Sequence, residues 1–383
     1  MNNSSEQLIG KHPRIEAVDA LRGFAVMAIL LVHNLEHFIF PVYPADSPGW
    51  LNTLDQGVFN VVFTLFAGKA YAIFALLFGF TFYIQSDNLK RRGGDFGYRF
   101  LWRLVLLAGF ATLNAAFFPA GDVLLLFVIA GLVLFFTRNW GDGAILAVAV
   151  VFLLQPVEWY HCIAGLLNPA HRLPDLGVGE MYARVAEYTK AGNFGDFILG
   201  NVTLGQKASL LWAVNAGRFV QTAGLFLLGF YIGRKQLFVA TEKNLRFWVK
   251  TLIVSAIAFA PLYTLRELVM DNGAVVGQTA GTALDMWQKL AFTLVLVASF
   301  ILLYQRREFS AAVAGLRQDE PYQLYIPVRY RGLRLFPVRP LPCPSVRIYG
   351  QPVGRDSGVP AAGAVLQMVA GEAQTGAAGI YLA

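Results

Sequence analysis

Arg22 and His33 stand eleven positions apart in the run Asp19–Phe40, DALRGFAVMAILLVHNLEHFIF. At about 100° per residue a helix returns to within ~20° of its starting direction over that spacing, ~16 Å further along its axis. One stripe would then carry a planar cation and, deeper in, a titratable imidazole. A guanidinium fork matches phosphate oxygens. A histidine titrating near neutrality suits removal of a hydroxyl proton. The run is long enough to cross a bilayer, for which ~20 apolar residues suffice. An ionisable group at that depth costs roughly 2.5–3.5 kcal/mol on insertion scales. Such groups therefore face a protein interior or a wet cavity. Two plainer roles stay open: Arg22 snorkelling to the headgroups, and His33 hydrogen-bonding a neighbouring helix. Asn34, Glu36 and His37 follow at the end of the run, where solvation accounts for the last two.

Other polar residues interrupt apolar runs. Lys69 opens the most apolar part of a second run. It could bind an anion or neutralise a carboxylate, or simply mark a span end. Arg99 and Arg103, one turn apart at the start of a third run, could extend a phosphate site or anchor topology. Asp122 begins a fourth, where a carboxylate suits a helix N-terminus or a catalytic role. Arg218, with Gln221 three positions on, lies within a sixth run and could line a cavity. Gly224 and Gly229 suit close helix packing. Cys162 and Cys343 are the two cysteines, too few and too far apart for a disulfide framework or a metal site. No P-loop, His-Glu-x-x-His or Gly-x-Ser-x-Gly motif occurs. No metal and no bound cofactor is expected.

The elements that must position these residues are membrane helices. Of 383 residues, 56% are hydrophobic and only 14% are charged, against about 25% charged in a soluble domain. The net charge of +7 resides in short links rather than one basic patch, which argues against nucleic acid as a partner. Apolar runs near 19–40, 60–85, 99–118, 121–137, 143–159, 209–233, 245–265 and 284–305 give eight candidate spans. The first is read as a retained helix, because no small-residue cleavage site follows it. Lys11 and Arg14, then Lys90, Arg91 and Arg92, Arg138, and Arg234 with Lys235 fall on one side of these spans, while Asp46 and Asp55 fall on the other. The positive-inside rule puts the N-terminal tail, residues 1–18, in the cytoplasm. The long link 160–207 would lie outside, as a solvated connector or a substrate cap, with Met181–Tyr188 as a surface helix. From 311 to 383 the chain turns rich in Arg and Pro and carries no membrane-length run. A largely disordered tail is one reading.

Several motifs follow in order: Asp19-Ala-Leu-Arg-Gly-Phe-Ala25 with Leu30-Leu-Val-His33; Lys69-Ala-Tyr-Ala-Ile-Phe-Ala-Leu-Leu-Phe-Gly79; Arg99 and Arg103 followed by Gly121-Asp122-Val-Leu124; and the glycine-bearing Gln221–Gly233. Together they resemble the domain-of-unknown-function 418 (YeiB-like) integral membrane family. That family is similar to the acyltransferase-3 type of transmembrane acyltransferases, whose signature of Arg or Lys, ten residues, then His fits Arg22 and His33. The resemblance implies transfer of an acyl group from a cytosolic thioester, with acyl-CoA as co-substrate, to an envelope sugar or lipid at a bacterial inner membrane. Arg22 would hold donor phosphate, His33 would act as base, and Lys69 and Arg218 would line the cavity. The same buried cations equally suit a transporter or channel for a small anionic solute, or a membrane protein without catalysis. The family pattern bears on the tail too. Codons for Arg317–Tyr325 and Gly371–Ala383, read one base later, can yield strings similar to the family's terminal motifs. A frameshift near residue 317 is therefore a second reading of the tail. The expected fold is an all-α polytopic helix bundle over 19–310, with eight intact spans where the family has about ten.

Overall fold

The computed structural model describes residues 16–35, 48–117, 123–190, 193–270 and 275–304. Every regular element among them is a helix. In chain order these are α1 (Glu16–Asn34), α2 (Gly49–Phe66), α3 (Lys69–Lys90), α4 (Gly97–Phe117), α5 (Leu124–Thr137), α6 (Asp142–Leu153) and α7 (Pro156–Leu167). They continue as α8 (Val178–Lys190), α9 (Phe194–Gly200), α10 (Gln206–Asn215), α11 (Arg218–Arg234), α12 (Glu242–Met270) and α13 (Val275–Tyr304). One π-helical turn, Asn201–Gly205, joins α9 to α10. The all-α architecture follows the apolar runs. The tail beyond 304, the N-terminal residues before 16, Glu36, His37, Asp122 and Cys343 lie outside the described residues.

Three of the expected spans are not continuous helices. The run 60–85 is interrupted between α2 and α3 at Gly68, the run 143–159 between α6 and α7 at Gln155, and the run 209–233 between α10 and α11 at Gly217. The causes are local. Gly68 and Gly217 take φ of 74° and 65°, a left-handed conformation that only glycine adopts freely. Pro156 lacks an amide proton and disfavours the helical conformation at the residue before it. Gln155 adopts φ 60° and ψ 58°, and Pro156 starts α7. The α6–α7 pair bends by 47° there. Among the described residues, four stretches are long and apolar enough to cross a membrane: Gly49–Lys90, Gly97–Phe117, Glu242–Met270 and Val275–Tyr304. The α6–α7 pair would make a fifth. Eight was the expectation. Among the described residues α5 has only 14 residues and α11 only 17, and the expected run 19–40 extends beyond the described part of α1.

The bundle is built around α3, α11 and α13. Helices α3 and α11 cross with their backbones in contact. A methyl group at Gly79 would fall inside the carbonyl of Phe226, and one at Gly229 inside the carbonyl of Leu76. Phe78 and Phe226 stack beside this crossing at 4.6 Å, and Phe82, Phe100, Phe127 and Phe230 extend the aromatic core. Helices α12 and α13 form a hairpin, with α13 against the core and α12 largely turned outward. The link 160–207 is mostly helical. Its α8 contains the anticipated Met181–Tyr188 helix, and Asn201 donates to the carbonyl of Ala116 at the end of α4 (3.2 Å).

Arg234, with Lys235 also paired to Asp142 at 2.7 Å, fastens one end of the bundle. Arg234 donates to the carbonyls of Trp140 (2.6 Å) and Arg138 (3.1 Å) just past α5, and pairs with Asp142 at 3.0 Å. Carbonyls at a helix end have no partner within the helix, so one guanidinium ties α11 to both α5 and α6. We expect Arg234→Met to lower stability by roughly 1–3 kcal/mol and Arg234→Lys to recover only part of that loss. Thermal unfolding in detergent, followed by circular dichroism, measures both.

Candidate functional site

Helices α3, α7 and α11 begin at the three interruptions, capped by Gly68, Gln155 and Gly217, and none receives a side-chain cap. Their first amide groups are therefore donors without intrahelical acceptors. Lys69 is the first residue of α3 and Arg218 the first of α11. A cation there opposes the helix dipole, at a cost of about 0.3–1 kcal/mol each. An anion in front of these termini would offset both terms.

All three interruptions meet one stretch of α13. A Cβ at Gly68 would lie 3.2 Å from the Lys289 side chain. A Cβ at Gly217 would lie 3.3 Å from Thr282, 3.4 Å from Met286 and 3.2 Å from Gln155 Oε1. Gln221, one turn into α11, is buried and donates to the Met286 carbonyl (3.1 Å). Trp287 donates to the Leu153 carbonyl at the end of α6 (3.0 Å), and its ring lies 5.5 Å from Trp159 of α7.

This α13 stretch is charged. Asp285 accepts from Gln288 (2.9 Å), pairs with Arg266 of α12 at 3.1 Å and pairs with Lys289. Arg266 also pairs with Glu267. Lys69 is buried, lies within electrostatic reach of Lys289, Asp285 and Arg266, and places its ammonium 5.8 Å from the Phe292 ring. Arg218 bears electrostatically on Lys289, and its guanidinium lies 4.6 Å from the Trp212 ring and 5.7 Å from that of Tyr71. Tyr71 in turn hydrogen-bonds Thr222, which donates to the carbonyl of Arg218 (2.6 Å). Among the described residues, four cations and two carboxylates thus gather where three helix N-termini converge.

Arg22 belongs to a different place. It pairs with Asp19 at 3.2 Å and donates to Thr81 of α3 at 3.1 Å. With Arg103, which donates to Gln85, it lines a cavity of about 410 Å³ walled by Phe74, Phe78, Phe82 and Phe100. Thr81 and Lys69 are twelve residues apart on α3, about 18 Å along the helix. Arg99 is exposed and does not line this cavity. His33 is half-buried in the last turn of α1 and is not among its lining residues either. Of the residues singled out by type and spacing, Lys69, Arg218 and Gln221 thus come together at the junction, and Arg22 and Arg103 at the cavity. Arg218 stands at the start of a helix rather than deep within a span.

Sequence reasoning passed over Asp285, Lys289, Arg266 and Gln155. The signal for the first two was present: a carboxylate and a lysine one turn apart at the start of a membrane-length run, subject to the same cost that drew attention to Arg22. Pro156 inside an apolar run marked the Gln155 interruption. Arg266 lies one residue past the apolar run 245–265, where hydropathy alone does not single it out. Among the described residues no three His, Cys, Asp or Glu side chains cluster as metal ligands.

Comparison with known proteins gives partial matches. Residues 232–318 match the family described as "Protein of unknown function (DUF418)". The chain is 29% identical over 170 residues to "Uncharacterized protein YxaH" of Bacillus subtilis (strain 168), covering 40% of this chain and 42% of that protein. It is 30% identical over 121 residues to "Uncharacterized 39.9 kDa protein in amylase 3'region" of Bacillus acidopullulyticus, covering 32% of this chain and 33% of that protein. The chain thus spans less than half the length of these curated relatives. No solved structure matches.

Proposed function

We propose, for a chain whose residues 232–318 match the DUF418 family, an integral membrane protein that binds a small organic anion at the junction and carries it across the bilayer. The carrying observation is the pair of interrupted helices, α3 and α11, that each start on a cation with an uncapped N-terminus and face one ion-paired stretch of α13. Interrupted helices whose N-termini meet an anionic group inside a bundle are a recurrent means of binding solutes in transporters. A bacterial inner membrane, with the Arg234 end of the bundle cytoplasmic, is the location this reading takes.

Acyl transfer is the second reading, favoured by the Arg22–Arg103 cavity. Its arginines would suit the phosphates of an acyl-CoA donor and its phenylalanines an acyl chain, with His33 as base and an envelope sugar or lipid as acceptor.

Purified protein in proteoliposomes separates the two. We expect saturable uptake of labelled propionate or succinate, reduced tenfold or more by Lys69→Met or Arg218→Met, which corresponds to about 1.4 kcal/mol of lost binding. Absence of uptake, with acyl-CoA consumed by the wild type and spared by His33→Ala, would move the assignment to acyl transfer.

A further inference from the structure

Among the described residues, Gln155 is the most anomalous polar side chain. It is fully buried. Neither its Oε1 nor its Nε2 has a hydrogen-bond partner. Its backbone holds a left-handed conformation that a residue with a Cβ rarely adopts. A buried carboxamide without partners is costly, and a leucine of similar size would remove that cost. Strain and an orphaned polar group at one residue are the pattern of a position kept for function.

Its surroundings indicate what that function is. Gln155 Oε1 lies 3.2 Å from where a Cβ of Gly217 would stand, so the carboxamide abuts the N-terminal cap of α11. The next residue is Arg218, one of the two cations proposed to hold the anion. Thr282 and Met286 of α13 close the other side of Gly217. A ligand whose charge rests at the α11 N-terminus would thus extend neutral atoms past Gly217 to a group able to donate one hydrogen bond and accept another.

We propose that Gln155 is a specificity-determining residue of the anion site, and that the anion carries a neutral hydrogen-bonding group, such as a hydroxyl, which pairs with the Gln155 carboxamide. This rests on the junction being the binding site. A site built to hydrogen-bond a substrate hydroxyl discriminates strongly against the analogue without it, because its own buried polar group is then left unpaired.

The test uses full-length protein in detergent and two matched pairs of probes: propionate against lactate, and succinate against malate. Binding is read by calorimetry and by the shift in Tm. In the wild type, the hydroxylated member of at least one pair binds ten-fold or more tighter than its partner. Gln155→Leu abolishes that preference and raises the Tm of the unliganded protein. Gln155→Asn, which retains the carboxamide on a shorter arm, keeps part of the preference should the leucine variant fail to fold. Equal binding within both pairs by the wild type, a preference that survives in folded Gln155→Leu, or an undiminished preference in Gln155→Asn where the leucine variant does not fold, overturns the inference and leaves the junction reading standing. Binding of no probe by the wild type overturns both. Plain-carboxylate binding unaffected by Lys69→Met and Arg218→Met overturns the junction reading separately.

Discussion

Gly229→Ala is expected to abolish the folded, detergent-extractable protein, and Gly79→Ala to do nearly the same. At both positions the obstacle is backbone: the carbonyl of Leu76 against Gly229 and that of Phe226 against Gly79. A flexible side chain could swing aside, but a helix backbone must move as a whole. Separating α3 from α11 would also open the Phe78–Phe226 stack and the aromatic core around it. Overpacking of a close-packed core ordinarily costs about 1–3 kcal/mol. A backbone collision repeated on both helices belongs to the exceptional class, above about 4 kcal/mol. Gly109 supplies the control, since a Cβ there meets nothing within 4 Å. Gly109→Ala is expected to be neutral or stabilising by about 0.5–1 kcal/mol. Size-exclusion profiles of the three variants in mild detergent measure the difference. The consequence reaches the site, because α3 and α11 present Lys69 and Arg218, and the crossing fixes their separation.

Asp285→Leu has the second largest expected effect. The carboxylate is the meeting point of Lys289, Arg266 and Gln288, and its side chain is only 14% exposed. Removing one member of a buried charge network leaves the others uncompensated, typically at 3–5 kcal/mol. Here Lys289 would lose its carboxylate, and Arg266 would keep only Glu267. Replacing the pair together should restore much of the loss, because two apolar residues of similar volume are often as stable as a buried ion pair. Asp285→Leu combined with Lys289→Met is therefore expected to unfold at a Tm well above that of Asp285→Leu alone. If the double variant is no more stable than the single one, the unpaired Lys289 is not the source of the loss.

Much of the architecture was legible from hydropathy alone. The apolar runs marked the main helices, and Arg138, Arg234 and Lys235, from two of the basic links, meet at one end of the bundle. Continuity was not legible, because an apolar run records composition and three runs are broken by backbone conformation. Gly68 and Gly217 sit in stretches as apolar as any other, and nothing in hydropathy separates a left-handed glycine from a packing glycine. Pro156 was the exception, a break visible in the residue type. The candidate site was half legible. Lys69, Arg218 and Gln221 stood out as polar residues in apolar runs, but their convergence depends on the three breaks. Arg22 and His33 stood out by their eleven-residue spacing. Spacing gives a shared stripe but not a shared chamber, and the cavity that contains Arg22 is completed by Arg103 rather than by His33.

The central claim is that an anion is held where the N-termini of α3 and α11 face the charged stretch of α13. A crystal structure of the full-length protein with 2-bromopropionate, phased at the bromine edge, tests it most directly. The expected result is one anomalous peak between Lys69 and Arg218, beside Lys289, that is lost in Arg218→Met. A peak confined to the Arg22–Arg103 cavity, with none at the junction, would contradict it.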